Sequence, residues 1–483
     1  MAELAVPEEI LPLLNRMGRR LVDQRRKHQT LGKYRDGGSP IPAAITKSRT
    51  TKSYRLLMPQ SEAPWGDLVV GSTLDRLEMK GLRDEKQSDA DEVWGMLQEN
   101  QLDLESKIVH DACLTDGRAA ALVWPEEGED TPTITFDSMA TMCVMYEPGS
   151  RRKRRAAMRH WIDDSQPYAN IYTRDGIYKF KGPRYSSGFD GTQWTRFQPP
   201  GDEEWPVRNP YNVVPVVEFG INRRLRPGVF PFARGEYEHC IGLLDRINLL
   251  TFLGLVVAFY MGFPLRGVLG ARILKDDAGD PIAPFDASAP GVFQFEDPEA
   301  QIAEFKAADR ANLSIFPDLA QLAMITKTPR HYFPMEGGMA NLAADAIRAS
   351  EGALHAKVSN YQPSLGESWE ETARVLGAMT GHEISQRATI DWVDHESRSL
   401  AERADAASKL KDVVPSIAIA EKVLDWMLDD WRRWQAENQT APLAGVVKAV
   451  VDSKQQGAAA ELAQAQASAA SVGNGGNGAQ SSS

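Results

Sequence analysis

Near the start of the chain apolar residues recur every three to four positions, the mark of a helix with one buried face. Ile10, Leu13, Leu14, Met17 and Leu21 share a side of a helix from Val6 to about Leu31, and Arg19, Arg20, Arg25, Arg26 and Lys27 crowd its C-terminal half. Cations suit that end of the helix dipole, so the stretch reads as a peripheral packing helix with a solvated charged face; contact with nucleic acid is the alternative. A Gly/Pro break at Gly37–Pro42 follows, then a helix with adjoining turns over Ser61–Gly81 and helices at Val93–Asn100 and Leu102–Thr115. The period then drops to two. Ala119–Trp124, Thr133–Phe136, Met142–Tyr146, Ala156–Ile162, Ala169–Tyr172, Ile177–Phe180 and Val213–Phe219 are short β-branched and aromatic runs spaced by turn residues, which fits antiparallel hairpins. Thr173-Arg-Asp-Gly176 reads as a hairpin turn.

Helical spacing returns at Ala233–Met261, whose second half is an apolar run, and again at Ala308–Thr326. Between them lie short strands at Arg266–Leu269 and Gly291–Phe295 and an Asp/Gly/Pro-rich insert at Asp276–Pro290. Pro329 and Pro334 then stop any helix, and Gly337 and Gly338 add turn freedom. Asn341 is placed to cap a new helix with Asp345 in its first turn. Leu342, Ala346, Leu354, Val358, Tyr361, Leu365, Trp369 and Leu376 carry its apolar face, with Arg348, Glu351, Lys357 and Glu367 largely between them. Roughly 40 residues would span about 60 Å, and Pro363 and Gly366 are expected to kink the helix. Thr389–Val393 reads as a strand, and Ser397–Val413, Ile417–Met427 and Asp430–Glu437 as helices. Gln455–Ser483 is Ala/Gln and then Gly/Asn/Ser, with too little apolar bulk to pack, and is expected to be disordered from about Val472.

Composition narrows the chemistry. A chain of 483 residues with 42% hydrophobic and 25% charged residues can hold two or more ordinary folded domains. Its net charge of −11 argues against a sequence-reading nucleic-acid binder. Cys113, Cys143 and Cys240 have no metal-ligand spacing and form no even-numbered framework, as suits a reducing compartment. Met1–Glu9 is acidic and without an apolar stretch, so no signal peptide is expected. There is no phosphate-binding G-x-x-x-x-G-K-[ST] loop, no G-x-S-x-G elbow and no second histidine after His382-Glu383 or His395-Glu396. Asp163–Asp164 and Asp429–Asp430 read as solvated surface pairs. The expectation is no catalytic residue, no metal and no cofactor. Arg151-Arg-Lys-Arg-Arg155, the strongest charge run, reads as a solvated loop between strands, with contact to DNA or an acidic partner as the alternative.

Several words in order resemble the portal, or head-to-tail connector, protein of long-tailed double-stranded DNA bacteriophages. They are Asn209-Pro-Tyr-Asn-Val-Val-Pro-Val-Val-Glu-Phe-Gly-Ile-Asn-Arg223, Thr326-Lys-Thr-Pro-Arg-His-Tyr-Phe333, the loop ending Met339-Ala-Asn-Leu-Ala-Ala-Asp-Ala-Ile-Arg-Ala-Ser-Glu351, Leu354-x-x-Lys357, and Asp391-Trp-Val-Asp-His-Glu-Ser-Arg-Ser399. The resemblance spans about Lys52 to Lys411, and the order of the features is more specific than any single word.

It implies an α+β portal fold that closes into a ring, usually of twelve copies. The parts would be an N-terminal helical arm (1–50), an α/β wing (51–231), a first stem helix (232–261), a clip (262–307) and a second stem helix (308–327). A channel loop (328–341), the long kinked helix and a wing strand (342–395), a helical crown (396–471) and the tail (472–483) would complete it. The implied role is the conduit at one capsid vertex for DNA packaging and ejection, made in the host cytoplasm. The implied partners are the chain itself, DNA held without sequence preference, the terminase ATPase, a head–tail adaptor, and the major capsid and scaffolding proteins.

Lys327, Arg330 and His331 then become candidate DNA contacts; capping of the preceding helix by Lys327 and Arg330 is the alternative. Met335, Glu336, Gly337, Gly338, Met339 and Asn341 would form the channel loop, while Arg266, Glu296, Asp297 and Glu299 would meet partners at the clip. Leu249–Pro264 is shorter than the roughly 20 residues a bilayer needs and reads as a helix buried between neighbouring copies, with no membrane partner. The competing reading is another minor virion protein that forms no DNA-conducting ring.

Overall fold

The computed structural model describes residues 7–38, 57–126, 128–150, 152–184, 193–201, 204–226, 229–262, 265–269, 301–305, 314–334, 344–394 and 400–424. They form a mixed helix and sheet fold that divides into two compact units, one built from 1–76 and 84–389, the other from 77–83 and 390–483.

The first unit begins with α1 (Leu11–Asp36), which ends on Gly37 in the left-handed region at φ 79°. The helix starts later than the Val6 expected, because Pro12 occupies its first turn, where a missing N–H costs nothing. After a turn at Pro59–Ser61 come α2 (Trp65–Leu74), α3 (Gln87–Glu99) and α4 (Leu102–Asp116). The strands follow as β2 (Arg118–Trp124), β3 (Thr133–Ser138), β4 (Met142–Tyr146), β5 (Arg154–Asp163), β6 (Gln166–Tyr172), β7 (Gly176–Lys181), β8 (Thr195–Arg196), β9 (Val207–Arg208) and β10 (Val216–Gly220). A 6-stranded antiparallel sheet runs β4-β5-β6-β7-β8, with β9 also on β7, and a 3-stranded sheet runs β10-β2-β3. The β6–β7 turn falls on the expected Thr173–Gly176, where the Thr173 hydroxyl donates to the Gly176 carbonyl at 2.7 Å.

Alternation along the strands explains the layering. Met158 and Ala156 of β5 face one way and join Cys143, Ile171 and Phe180 beneath Leu14, Met17 and Leu21 of α1. Ala157, between them, faces the other way, with Val144 and Tyr172, against Ala120, Leu122 and Val216 of the smaller sheet. Helices α4 and α7 (Ala344–Thr380) pack on the far side of that smaller sheet. There Trp369, fully buried, donates its indole N–H to His110 Nε2 at 2.9 Å and lies edge-on to Phe219 and Phe136.

A hairpin of β11 (Arg224–Arg226) and β12 (Val229–Phe232) leads to α5 (Ile241–Gly262), and β13 (Leu265–Leu269) pairs antiparallel with β14 (Gln301–Phe305). Helix α6 (Phe316–Thr326) then runs to the turn Arg330–Tyr332, before the 37-residue α7. The β14 strand was not foreseen; the strand expected at Gly291–Phe295 lies outside the described residues, as do Glu296, Asp297, Glu299 and the loop Met335–Asn341. Arg266 sits on β13 in register with Glu304. Pro363 lies inside α7, and both it and Gly366 belong to one helical run.

The expected apolar segment at Leu249–Pro264 needs correcting. It is the C-terminal half of a longer helix, and the 22 residues Glu238–Phe259 are long and apolar enough to cross a membrane by length and composition. The helix runs through Asp245 and Arg246, as the Ala233–Met261 spacing expects, but begins at Ile241.

The second unit pairs β1 (Met79–Arg83) with β15 (Thr389–Trp392) and adds α8 (Leu400–Leu410) and α9 (Ser416–Lys422). Arg83 and Asp391 form an ion pair at 2.7 Å, and Ala407, Ile419 and Leu424 make a small core. The expectation of a helix with turns over Ser61–Gly81 failed at Met79, because a strand partner far along the chain outweighs local pattern.

Candidate functional site

The Lys327 segment is where the returning helix ends. Thr328 donates its N–H to the Ala323 carbonyl at 3.0 Å and Lys327 donates to Met324 at 3.4 Å, with Lys327 at φ 54°. This is a Schellman stop with lysine at the left-handed position that glycine usually fills. Lys327 thus takes part in the helix stop through its main chain, and its side chain is exposed.

Beneath that stop lies a buried polar network. The Lys357 ammonium, 6% exposed, donates to the Thr326 carbonyl at 2.9 Å and meets Glu236 Oε1 at 3.1 Å. Thr73 of α2 donates to both Glu236 oxygens at 3.1 and 3.2 Å. Asn222 donates to the Tyr361 hydroxyl at 2.9 Å. Burial pushes the Glu236 carboxyl up and the Lys357 ammonium down, and in each case the partner's charge opposes the shift. Glu236 is held there by close backbone packing: its N–H donates to the Leu114 carbonyl at 2.8 Å, and a Cβ on Gly235 would lie 1.9 Å from the Thr115 carbonyl oxygen.

A second cluster fixes the turn after Lys327. Glu351 of α7 accepts from the Tyr332 hydroxyl at 3.2 Å and from Arg76 at 3.5 Å, and Arg76 also donates to the Tyr332 hydroxyl at 2.8 Å. His331 places Nε2 3.8 Å from Glu351 and Nδ1 3.1 Å from the Ser350 hydroxyl. Phe333 is buried against Trp65, with ring centroids 6.0 Å apart. The structure thus separates the three candidate cations. Lys327 and Arg330 are exposed, whereas His331 is folded onto α7 as part of an anchor. Of the basic run, Arg154 pairs with Glu371 at 2.6 Å, while Arg152, Lys153 and Arg155 are exposed.

Sequence reading did not single out Arg76, Tyr332, Glu236 or Lys357 as a group. Only the spacing of Glu351 and His355, 3.6 Å apart at i,i+4, was a local signal.

Helices α5 and α6 are clamped together. Arg246 of α5 grips Asp318, in the first turn of α6, through Nε at 2.9 Å and Nη2 at 2.7 Å, and reaches Gln321 at 2.9 Å. Yet α5 and α6 keep apolar side chains in the open: Met324 is 82% exposed, Ile325 43% and Leu253 37%.

Hollows open on the surface of the described residues. One, of about 610 Å³, lies where Glu99, Glu105, Glu129 and Asp130 converge. Another, of about 320 Å³, opens beside Lys327. Among the described residues no three His, Cys, Asp or Glu side chains are grouped to hold a metal ion.

Comparison with known proteins adds the following. The family model described as phage portal protein, SPP1 Gp6-like, matches residues 78–442. The portal proteins of Mycobacterium phage L5 and Mycobacterium phage D29 are each 26% identical, over 414 and 418 residues; both alignments cover 80% of this chain, and 80% and 81% of the respective relatives. Among solved structures, the neck of an empty gene transfer agent particle aligns with a TM-score of 0.42 at 10% identity, over 78% of this chain and 94% of that one. The neck of the native particle aligns at 0.41 and 14% identity, over 83% and 94%.

Proposed function

The chain belongs to the SPP1 Gp6-like phage portal protein family, and on that premise we propose that it closes into a ring of about twelve copies at one capsid vertex and conducts DNA through the centre. In this reading α5 and α6 are the stem, β13 and β14 the root of the clip, 328–341 the channel loop, 342–395 the long helix and wing strand, and 396–471 the crown. The terminase ATPase and the head–tail adaptor would dock at the clip, and capsid and scaffolding proteins around the wing. The chain is a structural component, and no catalytic step is assigned to it.

One observation carries the ring reading. The stem leaves Met324, Ile325 and Leu253 uncovered in a single copy, on a helix pair already clamped by Arg246 and Asp318. A neighbouring copy displaced around an axis would cover these side chains. Lys327 and Arg330 then stand at the entry to the channel loop. Each supplies a phosphate contact that is transient, because few phosphates are neutralised at once.

Negative-stain electron microscopy of the full-length chain, with mass measured on the same sample, tests this. Rings with an axial hole wide enough for a duplex are the expected result. A monomer calls for repetition with capsid and scaffolding proteins. A closed dimer, or a particle that exists only in detergent, overturns the reading and would point to α5 as a membrane helix. Lys327→Ala with Arg330→Ala should assemble normally and package less DNA; full packaging would remove their contact role.

A further inference from the structure

The hollow of about 320 Å³ beside Lys327 has an unbalanced charge. Arg224, Arg234, Lys327 and Lys357 line it, together with His239, and the carboxylate among its lining residues is Glu236. Glu236 is already committed to Lys357 at 3.1 Å and to Thr73. Among the described residues no carboxylate pairs with Arg224, Arg234 or Lys327. Among the described residues Arg234 Nε is buried and has no acceptor, and a buried donor left unpaired is unfavourable. Partial burial and the charges of Arg234 and Arg224 lower the pKa of His239.

The walls of the hollow are fixed. Arg234 is held by the chain's close approach to Gly117, where a Cβ would lie 2.7 Å from the Arg234 nitrogen, and its carbonyl accepts from Asn222 at 3.1 Å. A pocket of this size, at the lower end for small-ligand sites, rimmed by guanidinium groups with a lysine at its mouth, matches a compact tetrahedral oxyanion.

We propose that this cleft binds a single phosphate group, with Arg224 and Arg234 as its principal donors and Lys327 closing over it. The phosphate is either free or one unit of a nucleic-acid backbone. The site lies within one subunit and does not depend on ring formation, so it can fail while the portal reading stands, and the reverse.

The test uses the full-length chain and inorganic phosphate, followed by calorimetry at constant ionic strength with chloride as the reference. Saturable one-site binding is expected, weakened at least tenfold in Arg224→Ala and in Arg234→Gln and unchanged in Arg155→Ala, an exposed cation outside the cleft. Arg224 is itself exposed, so R224A keeps the test valid if R234Q fails to fold. A short duplex that competes with phosphate identifies the backbone as the source; a duplex that does not compete identifies free phosphate. Non-saturable uptake, or wild-type affinity in R224A, overturns the site. So does binding by the dissociated subunit that vanishes in the assembled particle, which would assign the cleft to an acidic side chain of a second copy.

Discussion

Lys357 sits among polar positions of α7 that sequence pattern assigns to the surface, yet it is the most consequential lysine described. Removing one member of a buried pair leaves the other charge desolvated, at about 3–5 kcal/mol. Lys357→Met should therefore lose stability of that order in chemical unfolding, since it also strips the Thr326 carbonyl of its donor. Adding Glu236→Gln should recover part of the loss, and strictly additive effects would show that the pair does not act as one unit. His160 gives a second residue-scale prediction. Burial and the neighbouring Arg25, whose guanidinium donates to Nδ1, push its pKa down to about 4. Between that value and the usual 6.5 the unfolded chain holds a proton that the folded chain refuses. Stability from this group is complete above pH 6.5 and is lost as pH falls through the window, by about 3 kcal/mol. Unfolding midpoints that stay flat from pH 7 to 4, or a His160→Asn variant with the same acid loss, would contradict it. Neither group was legible as such beforehand, because each is defined by partners remote in sequence.

Among the elements, those with a strong local period were legible and those that depend on distant partners were not. Met142–Tyr146 was placed to the residue, and Leu102–Asp116 and the β6–β7 turn nearly so, because alternation, helical spacing and turn chemistry all agree there. The β5–β6 connection is tighter than the expected strand ends imply: Asp164 and Ser165 both take positive φ, at 44° and 62°, which Asp tolerates but which no Gly announces. Strands β1 and β14 have no strand signature of their own and exist through pairing. Helix α6 ends on a lysine where glycine costs less, and that choice is itself informative. A non-glycine residue in the left-handed region costs about 1 kcal/mol. Lys327→Gly should thus raise subunit stability by about that amount while removing an exposed cation from the mouth of the cleft. A destabilised Lys327→Gly would mean that the lysine side chain contributes to the helix stop.

At the scale of the molecule, the exposed apolar side chains of α5 and α6 decide between a subunit complete in itself and one built for neighbours. Full burial of a Leu or Met side chain contributes roughly 1.5–3 kcal/mol, and in a closed ring each copy gains that contribution once, at the contact where the side chain is covered. Met324 is the sharpest probe, since at 82% exposure it supports nothing within its own chain. Met324→Glu should leave the circular dichroism spectrum and the thermal unfolding of the dissociated subunit unchanged, because an exposed glutamate on a helix surface is well solvated. The same substitution places a charge at the proposed contact between copies, where leaving it unpaired costs several kcal/mol per interface. Assembly should therefore drop from rings to free subunits at protein concentrations where the wild type is fully closed, as read by mass photometry. Leu253→Glu on the partner helix should act in the same direction, although at 37% exposure it also perturbs the subunit. Rings that form with Met324→Glu at wild-type concentration would show that α6 faces away from the contact, and the apolar surface of α5 would then need another cover.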